Sequence, residues 1–135
     1  MRLWHIDLIP YLPKSQLIAQ WRELNSIFKK EDKHILINYI YDYKNKSVLH
    51  CYSEKVICEM KSRGINIKSY DNFNNYFKDQ KLSFFAPDFN EHDNEYLTIC
   101  YYNLKEKYLR GQKDFSDEVW KRLDKFYRKE IMKSE

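Results

Sequence analysis

Glycine and proline are scarce in this chain, with two glycines and three prolines among 135 residues. Folds built from β-strands need many tight turns, and those turns draw heavily on both residue types. Their scarcity favours a few long helices joined by polar loops. The hydrophobic fraction of 43% and the aromatic fraction of 17% argue against a disordered chain. We therefore expect a mainly α, single compact domain over residues 1–135, with three to four helices.

Four segments carry the pattern of amphipathic helices. The first begins near Pro13, the second at Ser47 as N-cap, the third near Asn90 and the fourth at Ser116 as N-cap, and the third stops at Gly111. Apolar residues recur in them at helical spacing, and these are Leu17, Ile18, Trp21, Leu24, Ile27, Phe28, then Val48, Tyr52, Val56, Met60, then Leu97, Cys100, Tyr101, Leu104, Tyr108, and finally Leu123, Phe126 and Tyr127.

Local signals support the helix ends. Gly64 follows the second pattern and is suited to a left-handed cap. Phe115 and Trp120 occupy the two positions of a hydrophobic staple around Ser116. These signals predict where the second helix ends and where the fourth begins.

The segments between the helices are described by their composition. Residues 1–10 are apolar and extended in character up to Pro10, which predicts an extended N-terminal segment. Residues 65–90 are rich in Asn, Asp, Tyr and Phe and predict a long irregular loop. The stretch His34–Tyr43 fits either a buried extended segment or a short helix, and the sequence leaves both open.

The cysteines and the apolar runs give information on the cellular compartment of the protein. Cys51, Cys58 and Cys100 form an odd set without metal-type spacing, which predicts buried free thiols and fits a reducing compartment. No apolar run approaches the roughly 20 residues that a membrane span needs. The first residues lack the pattern of a signal peptide. We therefore expect a cytoplasmic protein without a membrane partner.

Positive charge is concentrated in the first half of the chain. Residues 1–70 hold 12 Lys and Arg against 7 Asp and Glu, whereas residues 71–135 hold 12 against 13. A polyanion such as DNA is expected to meet the first half. An ordinary mixed surface is the alternative reading of the same distribution.

Several kinds of chemical site are absent from the sequence. There is no glycine-rich phosphate loop, zinc quartet or nucleophile elbow. His5 and Asp7 could supply two metal ligands, joined by Glu23, His34 and His92, but no spacing forces these five residues together. We expect neither a metal nor a cofactor.

Three stretches, in this order, carry a resemblance to a known family. They are Leu12–Leu24, which ends in Trp21-Arg22-Glu23-Leu24, then Glu59–Lys68, and then Glu91-His92 with Leu104–Lys107. Their order and spacing resemble the endonuclease V type of pyrimidine-dimer DNA glycosylase, in a divergent cellular branch. The resemblance covers most of residues 1–108. It implies a DNA glycosylase with associated abasic-site lyase activity and double-stranded DNA with a damaged or modified base as partner, acting as a monomer.

The resemblance also implies the catalytic residues. The nucleophile of the family is the N-terminal α-amine, and because Arg2 is too large for ready methionine removal, that amine belongs here to Met1. An α-amine has a reference pKa of about 7.7–8.0 against about 10.4 for lysine, so more of it is unprotonated at neutral pH. Glu23 matches the catalytic glutamate. At 100° per residue, Gln16, Gln20 and Glu23 form one row on a flank of the first helix, and Arg22 lies on the opposite flank.

A set of basic residues is assigned to DNA binding. Arg22 matches a DNA-gripping arginine of the family, and Arg2 stands beside Leu3, where the family has another. The full set is Arg2, His5, Arg22, Lys29, Lys30, Lys33 and His34. Gln16 and Ser26 replace a family histidine and arginine, so the lesion recognised can differ.

Two other functions fit the same sequence. One is a non-catalytic nucleic-acid-binding helical domain that retains only the fold. The other is a helical domain that binds a protein partner through tyrosine-rich surfaces. A covalent adduct with an abasic site separates the enzyme from both.

Overall fold

The computed structural model describes residues 1–133, and within them the chain is helical with no β-strand. Five α-helices and two 3₁₀ helices are found in this part of the chain. The α-helices are α1 (Lys14–Lys29), α2 (Ser47–Ser62), α3 (Asp71–Phe77), α4 (Asn94–Leu109) and α5 (Asp117–Lys133), and the 3₁₀ helices are Ile6–Tyr11 and Asn38–Asp42. The mainly α architecture predicted from the sequence is confirmed.

The N-terminal segment lies at the centre of the helices. Helix α1 packs against α2 and α3, α4 packs against α5, and the first 3₁₀ helix contacts both α2 and α5. Leu3, Leu8 and Ile9 have no exposed surface. The start of the chain therefore joins two groups of helices and is part of the core.

The prediction of an extended segment up to Pro10 is wrong from Ile6 onward, where the first 3₁₀ helix begins. Backbone N–H groups that are buried must find partners. The segment has no neighbouring strand, so it forms local bonds instead, and the amide of Leu8 donates to the carbonyl of His5 at 2.9 Å. The stretch His34–Tyr43 takes the short-helix alternative.

Helix α1 follows its sequence signals closely. The carbonyl of Pro13 accepts from the amides of Gln16 and Leu17 at 3.0 Å each, so proline stands just before the first helical residue. Leu17, Leu24 and Ile27 are fully buried. The predicted apolar stripe thus forms the inner face of α1.

Helix α2 begins at Ser47, but Ser47 does not act as its N-cap. The side chain of Asn45 accepts from the Ser47 amide at 2.8 Å, and the Ser47 hydroxyl accepts from the amide of Ser83 at 2.7 Å. Ser47 is buried and therefore fastens the loop after α3 to α2. The predicted N-cap was wrong because this long-range bond has no local signal.

The segment predicted as a long irregular loop contains α3. Phe73 and Phe77 stand one turn apart, are both buried and contact the ring of Phe28. Helix α4 begins after Asp93, whose carboxylate accepts from the amide of Tyr96 at 2.9 Å, four residues later than predicted. In α3, the burial of the Phe73 and Phe77 rings outweighs the weak helical propensity of the neighbouring asparagines.

The remaining capping predictions are confirmed. Gly64 and Gly111 have φ angles of +71° and +79°, a region that suits glycine. The Ser116 hydroxyl accepts from the amide of Val119 at 3.2 Å, and the rings of Phe115 and Trp120 lie 6.1 Å apart.

Two observations concern the cysteines and membranes. Cys100 is buried, Cys51 is half-buried and Cys58 is exposed, so the predicted burial of the thiols holds only for Cys100. No helix within residues 1–133 combines the length and the apolar character that crossing a membrane requires.

Candidate active site

A cleft of about 280 Å³ opens where the start of the chain meets α1 and α4. Its walls are formed by Met1, Arg2, Trp4, Gln16, Ala19, Gln20, Glu23, Leu36, Asn103 and Lys107. Three larger depressions lie elsewhere, beside Arg63, beside Arg22 and beside Arg110. The smaller cleft is the candidate active site because it combines a terminal amine, a carboxylate and two further cations.

Gln20 fixes the position of the N-terminal segment against α1. Its side-chain oxygen accepts from the amide of Trp4 at 2.7 Å and from the hydroxyl of Tyr52 at 3.1 Å. Its side-chain nitrogen donates to the carbonyl of Arg2 at 3.1 Å and to Glu23 at 3.2 Å. Gln20 is buried, so a single amide joins α1, α2, the first residues and the candidate catalytic carboxylate.

Glu23 lies half-buried in the wall of the cleft. Burial raises the pKa of Glu23, while the backbone of Arg2, the N-terminal amine, Gln20 and Arg22 lower it to a smaller extent. A raised pKa means that the carboxylate binds a proton more readily than an exposed glutamate. The Met1 amine lies close enough for its charge to act on this carboxyl group.

The other side of the N-terminal segment rests on a floor of buried and half-buried side chains. We use this name for Tyr39, Tyr52, His92 and Tyr96. Tyr52 donates to the carbonyl of Trp4 at 2.6 Å, and Tyr96 donates to the carbonyl of Leu3. The amide of Ile6 donates to Nδ1 of His92 at 3.1 Å. These side chains thus fix the backbone of Leu3, Trp4 and Ile6 by hydrogen bonds.

His92 is a neutral member of this floor. Its Nδ1 accepts from Ile6, which leaves the proton of the neutral ring on Nε2, 2.7 Å from the hydroxyl of Tyr39. Burial lowers the pKa of His92 to about 3, helped by the neighbouring charge of His5. The ring therefore acts as a fixed hydrogen-bonding group at neutral pH.

His5 lies in the core and does not face the cleft. Its ring is 3% exposed, stacks on His92 with centroids 5.3 Å apart, and accepts from the amide of Asp7 through Nδ1. Burial lowers the pKa of His5 as well. These contacts argue against the DNA contact predicted for His5.

The residues considered as metal ligands do not form one cluster. Within residues 1–133, no three side chains of the metal-binding types come together. Both ring nitrogens of His92 are occupied by Ile6 and Tyr39.

The remaining basic residues lie outside the cleft. Arg22 is exposed and lines a separate groove of about 470 Å³ with Trp21 and Asn25. Lys29 and Lys30 are exposed at the end of α1. The ammonium of Lys33 lies 4.2 Å from the centre of the Tyr41 ring, and His34 is half-buried in the next turn. Of the predicted site residues, only Met1, Arg2 and Glu23 share the cleft.

Among the cleft residues that were not predicted from the sequence, Leu36, Asn103 and Lys107 come from other parts of the fold. They lie far from Met1 in the chain, and no local pattern marks them as neighbours. Gln20 had a signal, since it shares one row of α1 with Glu23, but its hydrogen bonds had none.

Comparison with known proteins gives one result. A family model described as pyrimidine dimer DNA glycosylase matches residues 1–72. This stretch contains Met1, Arg22 and Glu23 and ends within α3. No curated protein and no solved structure matches the chain.

Proposed function

The chain belongs to the pyrimidine dimer DNA glycosylase family, whose function is DNA repair, and from this membership we propose that it is a glycosylase with associated abasic-site lyase activity. Its substrate is double-stranded DNA that contains a damaged or modified base. The observation that carries the proposal is the cleft that Met1 and Glu23 both line, where the charge of the terminal amine acts on the carboxylate.

The first step is attack of the unprotonated Met1 amine on C1′ of the damaged nucleotide. A bond forms between the amine nitrogen and C1′, and the bond between C1′ and the base breaks, so the base leaves with the electron pair and takes up a proton. The amine nitrogen gives up one proton, the bond between C1′ and the ring oxygen O4′ breaks with its electron pair going to O4′, which takes up a proton, and an iminium that keeps one N–H links Met1 to C1′. No metal takes part.

The second step is strand cleavage. The iminium makes the C2′ proton acidic, and the carboxylate of Glu23 accepts that proton. The bond between C3′ and its oxygen then breaks, and the 3′ phosphate leaves with the electron pair. The raised pKa of Glu23 suits this role, because a more basic carboxylate removes a proton more readily.

The position of Glu23 also favours the first step. As the base departs, positive charge develops on the sugar, and a carboxylate in a half-buried wall stabilises that charge more than one in open water. Gln20 binds both the carbonyl of Arg2 and the side chain of Glu23, so the residue next to the amine is held in a fixed relation to the carboxylate. Preorganisation of this kind lowers the barrier without movement during the reaction.

The basic residues contribute to DNA binding in two positions. Arg2 and Lys107 line the cleft, and in this proposal they contact the phosphates that flank the reacting sugar. Arg22, Lys29, Lys30, Lys33 and His34 lie outside the cleft and would contact the duplex further away. Phosphate contacts set the register of the protein on DNA and do not read sequence.

Trapping with borohydride tests the proposal. The protein is incubated with a duplex oligonucleotide that contains an abasic site, and borohydride reduces any iminium to a stable covalent adduct. We expect an adduct that survives EDTA and is lost when the N-terminus is acetylated or extended. An adduct that persists after acetylation would place the nucleophile on a lysine. Salt-dependent binding without any adduct would favour a non-catalytic DNA-binding domain. The absence of both an adduct and DNA binding would favour a domain that binds a protein partner.

A further inference from the structure

The cleft that holds the Met1 amine carries more positive than negative side-chain charge. Among the described residues that line it, Arg2 and Lys107 are cations and Glu23 is the single acid. The next acid along α4, Glu106, is exposed and lines a separate depression. An anion that forms at the Met1 nitrogen would therefore neutralise an uncompensated cation.

Lys107 is the cation of this pair that lacks an acidic partner. Its side chain is half-buried, and the ion pairs found within residues 1–133 do not include it. The guanidinium carbon of Arg2 lies 5.7 Å from the centre of the Tyr96 ring. Such a contact uses the face of the guanidinium and leaves N–H donors at its edge. Both cations are therefore able to bind a small anion by charge-assisted hydrogen bonds.

The Met1 amine is accessible to small electrophiles. Met1 is 36% exposed, and Leu36 and Ala19 add apolar surface to the same cleft. Only an unprotonated amine has the lone pair that attacks an electrophile, and α-amines as a class lose their proton well below lysine. A small, neutral and apolar electrophile that becomes an anion on reaction fits this combination of groups. Carbon dioxide is such a molecule.

From these features we propose that Met1 is a carbon dioxide site, where the terminal amine is converted reversibly to a carbamate that Lys107 and Arg2 hold. The nitrogen lone pair forms a bond to the carbon of carbon dioxide, and one π pair of a C=O bond moves onto oxygen. The nitrogen gives up one proton to Glu23 or to solvent and keeps one N–H. Burial raises the pKa of Glu23, which favours its taking up this proton.

A carbamate closes the amine to its proposed reaction with DNA. The nitrogen lone pair of a carbamate is delocalised into its carboxylate group, so the nitrogen no longer attacks C1′. Carbon dioxide and DNA then compete for one nitrogen, and the reaction slows as carbon dioxide rises. This consequence rests on the proposed function, whereas the carbamate itself needs only the amine and the two cations.

Alkylation followed by mass spectrometry detects the carbamate without DNA. The protein is equilibrated with bicarbonate buffer at fixed pH and ionic strength, and triethyloxonium ion converts any carbamate to a stable ethyl carbamate, which peptide mapping assigns to Met1 or to a lysine. Lys107→Met removes the unpaired cation, and Lys107→Arg restores it. Lys105→Met is the matched control, because Lys105 lies on the same helix and lines a separate depression. The urea-unfolded chain reports the labelling of an α-amine without the cleft.

We expect an ethyl carbamate on Met1 of the folded wild type and less of it on the unfolded chain. Lys107→Met should need about five-fold more carbon dioxide for half-saturation, the effect of one partly screened charge contact. Lys107→Arg and Lys105→Met should match the wild type. Equal labelling of the wild type, Lys107→Met and the unfolded chain would overturn the site, as would labelling confined to lysines.

Borohydride trapping on an abasic duplex, measured over the same range of carbon dioxide, tests the competition. Trapping should fall in proportion to the carbamate formed, to about half at half-saturation, and chloride at the same ionic strength should have no such effect. A carbamate on Met1 without any loss of trapping would leave the carbon dioxide site in place and move the reacting amine elsewhere. Trapping that acetylation abolishes, without any carbamate on Met1, would overturn the site and leave the proposed function intact.

Discussion

The two sides of the N-terminal segment differ in composition and burial. Its floor consists of buried and half-buried uncharged groups, where Tyr52, Tyr96 and His92 hold the backbone of Leu3, Trp4 and Ile6. The cleft side is partly exposed and carries the charged groups of Met1, Arg2, Glu23 and Lys107.

The floor fixes the position of the N-terminal segment, whereas the cleft side carries the charged groups that are proposed to take part in the reaction. Hydrogen bonds in the core are costly to break, because each buried polar group that loses its partner stays unsatisfied. Such bonds keep the start of the chain in one place, although chain ends are commonly mobile. Charged groups in a half-buried cleft retain access to substrate and to protons. Changes on the cleft side should therefore alter activity, and changes in the floor should alter stability first.

The largest effect is expected from Glu23→Gln on the cleft side. Loss of the carboxylate should slow strand cleavage by about 10²–10⁴-fold, the usual contribution of a general base. Glutamine can still accept the bond from Gln20, so some iminium trapping should persist. Cleavage of a duplex with an abasic site measures the effect, and Glu118→Gln, at an exposed glutamate in the first turn of α5, is the control.

The same variant tests whether the cleft is kept at a cost to stability. Burial raises the pKa of Glu23 in the folded state, so its ionised form is less favourable there than in the unfolded chain. Its contribution to stability is present at low pH and is lost as the pH rises through the folded pKa. Glu23→Gln should thus melt at the same temperature as the wild type or higher at pH 7. A clear fall in melting temperature would mean that Glu23 is a structural residue.

The next largest effect is expected from Gln20→Leu, because the native Gln20 side chain connects the floor to the cleft. It removes the partners of the Trp4 amide, the Arg2 carbonyl and the side chain of Glu23. The Trp4 amide is the buried group left unsatisfied, at about 1–3 kcal/mol, and the two partly exposed groups add less. Unfolding in urea should therefore show a loss of about 2–4 kcal/mol. Gln16→Leu is the matched control one turn earlier, because Gln16 is half-exposed and bonds to Gln112. Equal losses for both variants would contradict the role of Gln20.

Local sequence signals predicted the scaffold better than the site. Leu17, Leu24 and Ile27 recur along α1 and are all buried, and Ser116 caps α5. A helix end or an apolar stripe depends on residues within a few positions of each other. The matching of Met1 and Glu23 to one site came from the family resemblance, which supplied their roles.

The remaining parts of the site depend on contacts between distant residues. His92 binds the amide of Ile6 across 86 positions, and Lys107 reaches the cleft from α4. No periodicity records such contacts. The first 3₁₀ helix was missed for a related reason, because an apolar run fits an extended segment and a helix equally well. Its conformation was decided by the absence of a strand with which it could pair.

The next effect is expected from the pH dependence of stability, through His92 in the floor. The pKa of His92 is lowered to about 3 in the folded protein, so the unfolded chain binds a proton first as the pH falls below about 6.5. Stability should therefore be lost progressively between pH 6.5 and pH 3, and His5, whose pKa is also lowered, adds to the loss. His92→Asn keeps an acceptor for Ile6 and should show a shallower decline, although it starts from a lower stability at pH 7. Urea unfolding at several pH values measures both, and parallel declines would exclude His92 as the cause.

The smallest effect is expected from Lys30→Ala, which lies outside both the floor and the cleft. If Lys30 contacts one phosphate, its removal should reduce the slope of log K against log salt by about 0.9 and leave trapping at low salt unchanged. Lys121→Ala, at an exposed lysine of α5, should leave the slope as it is. An equal change in both variants would show that the DNA is attracted by overall charge and not by the surface near α1. A loss of trapping at low salt would instead place Lys30 in the reaction, and would extend the cleft side beyond Met1, Arg2, Glu23 and Lys107.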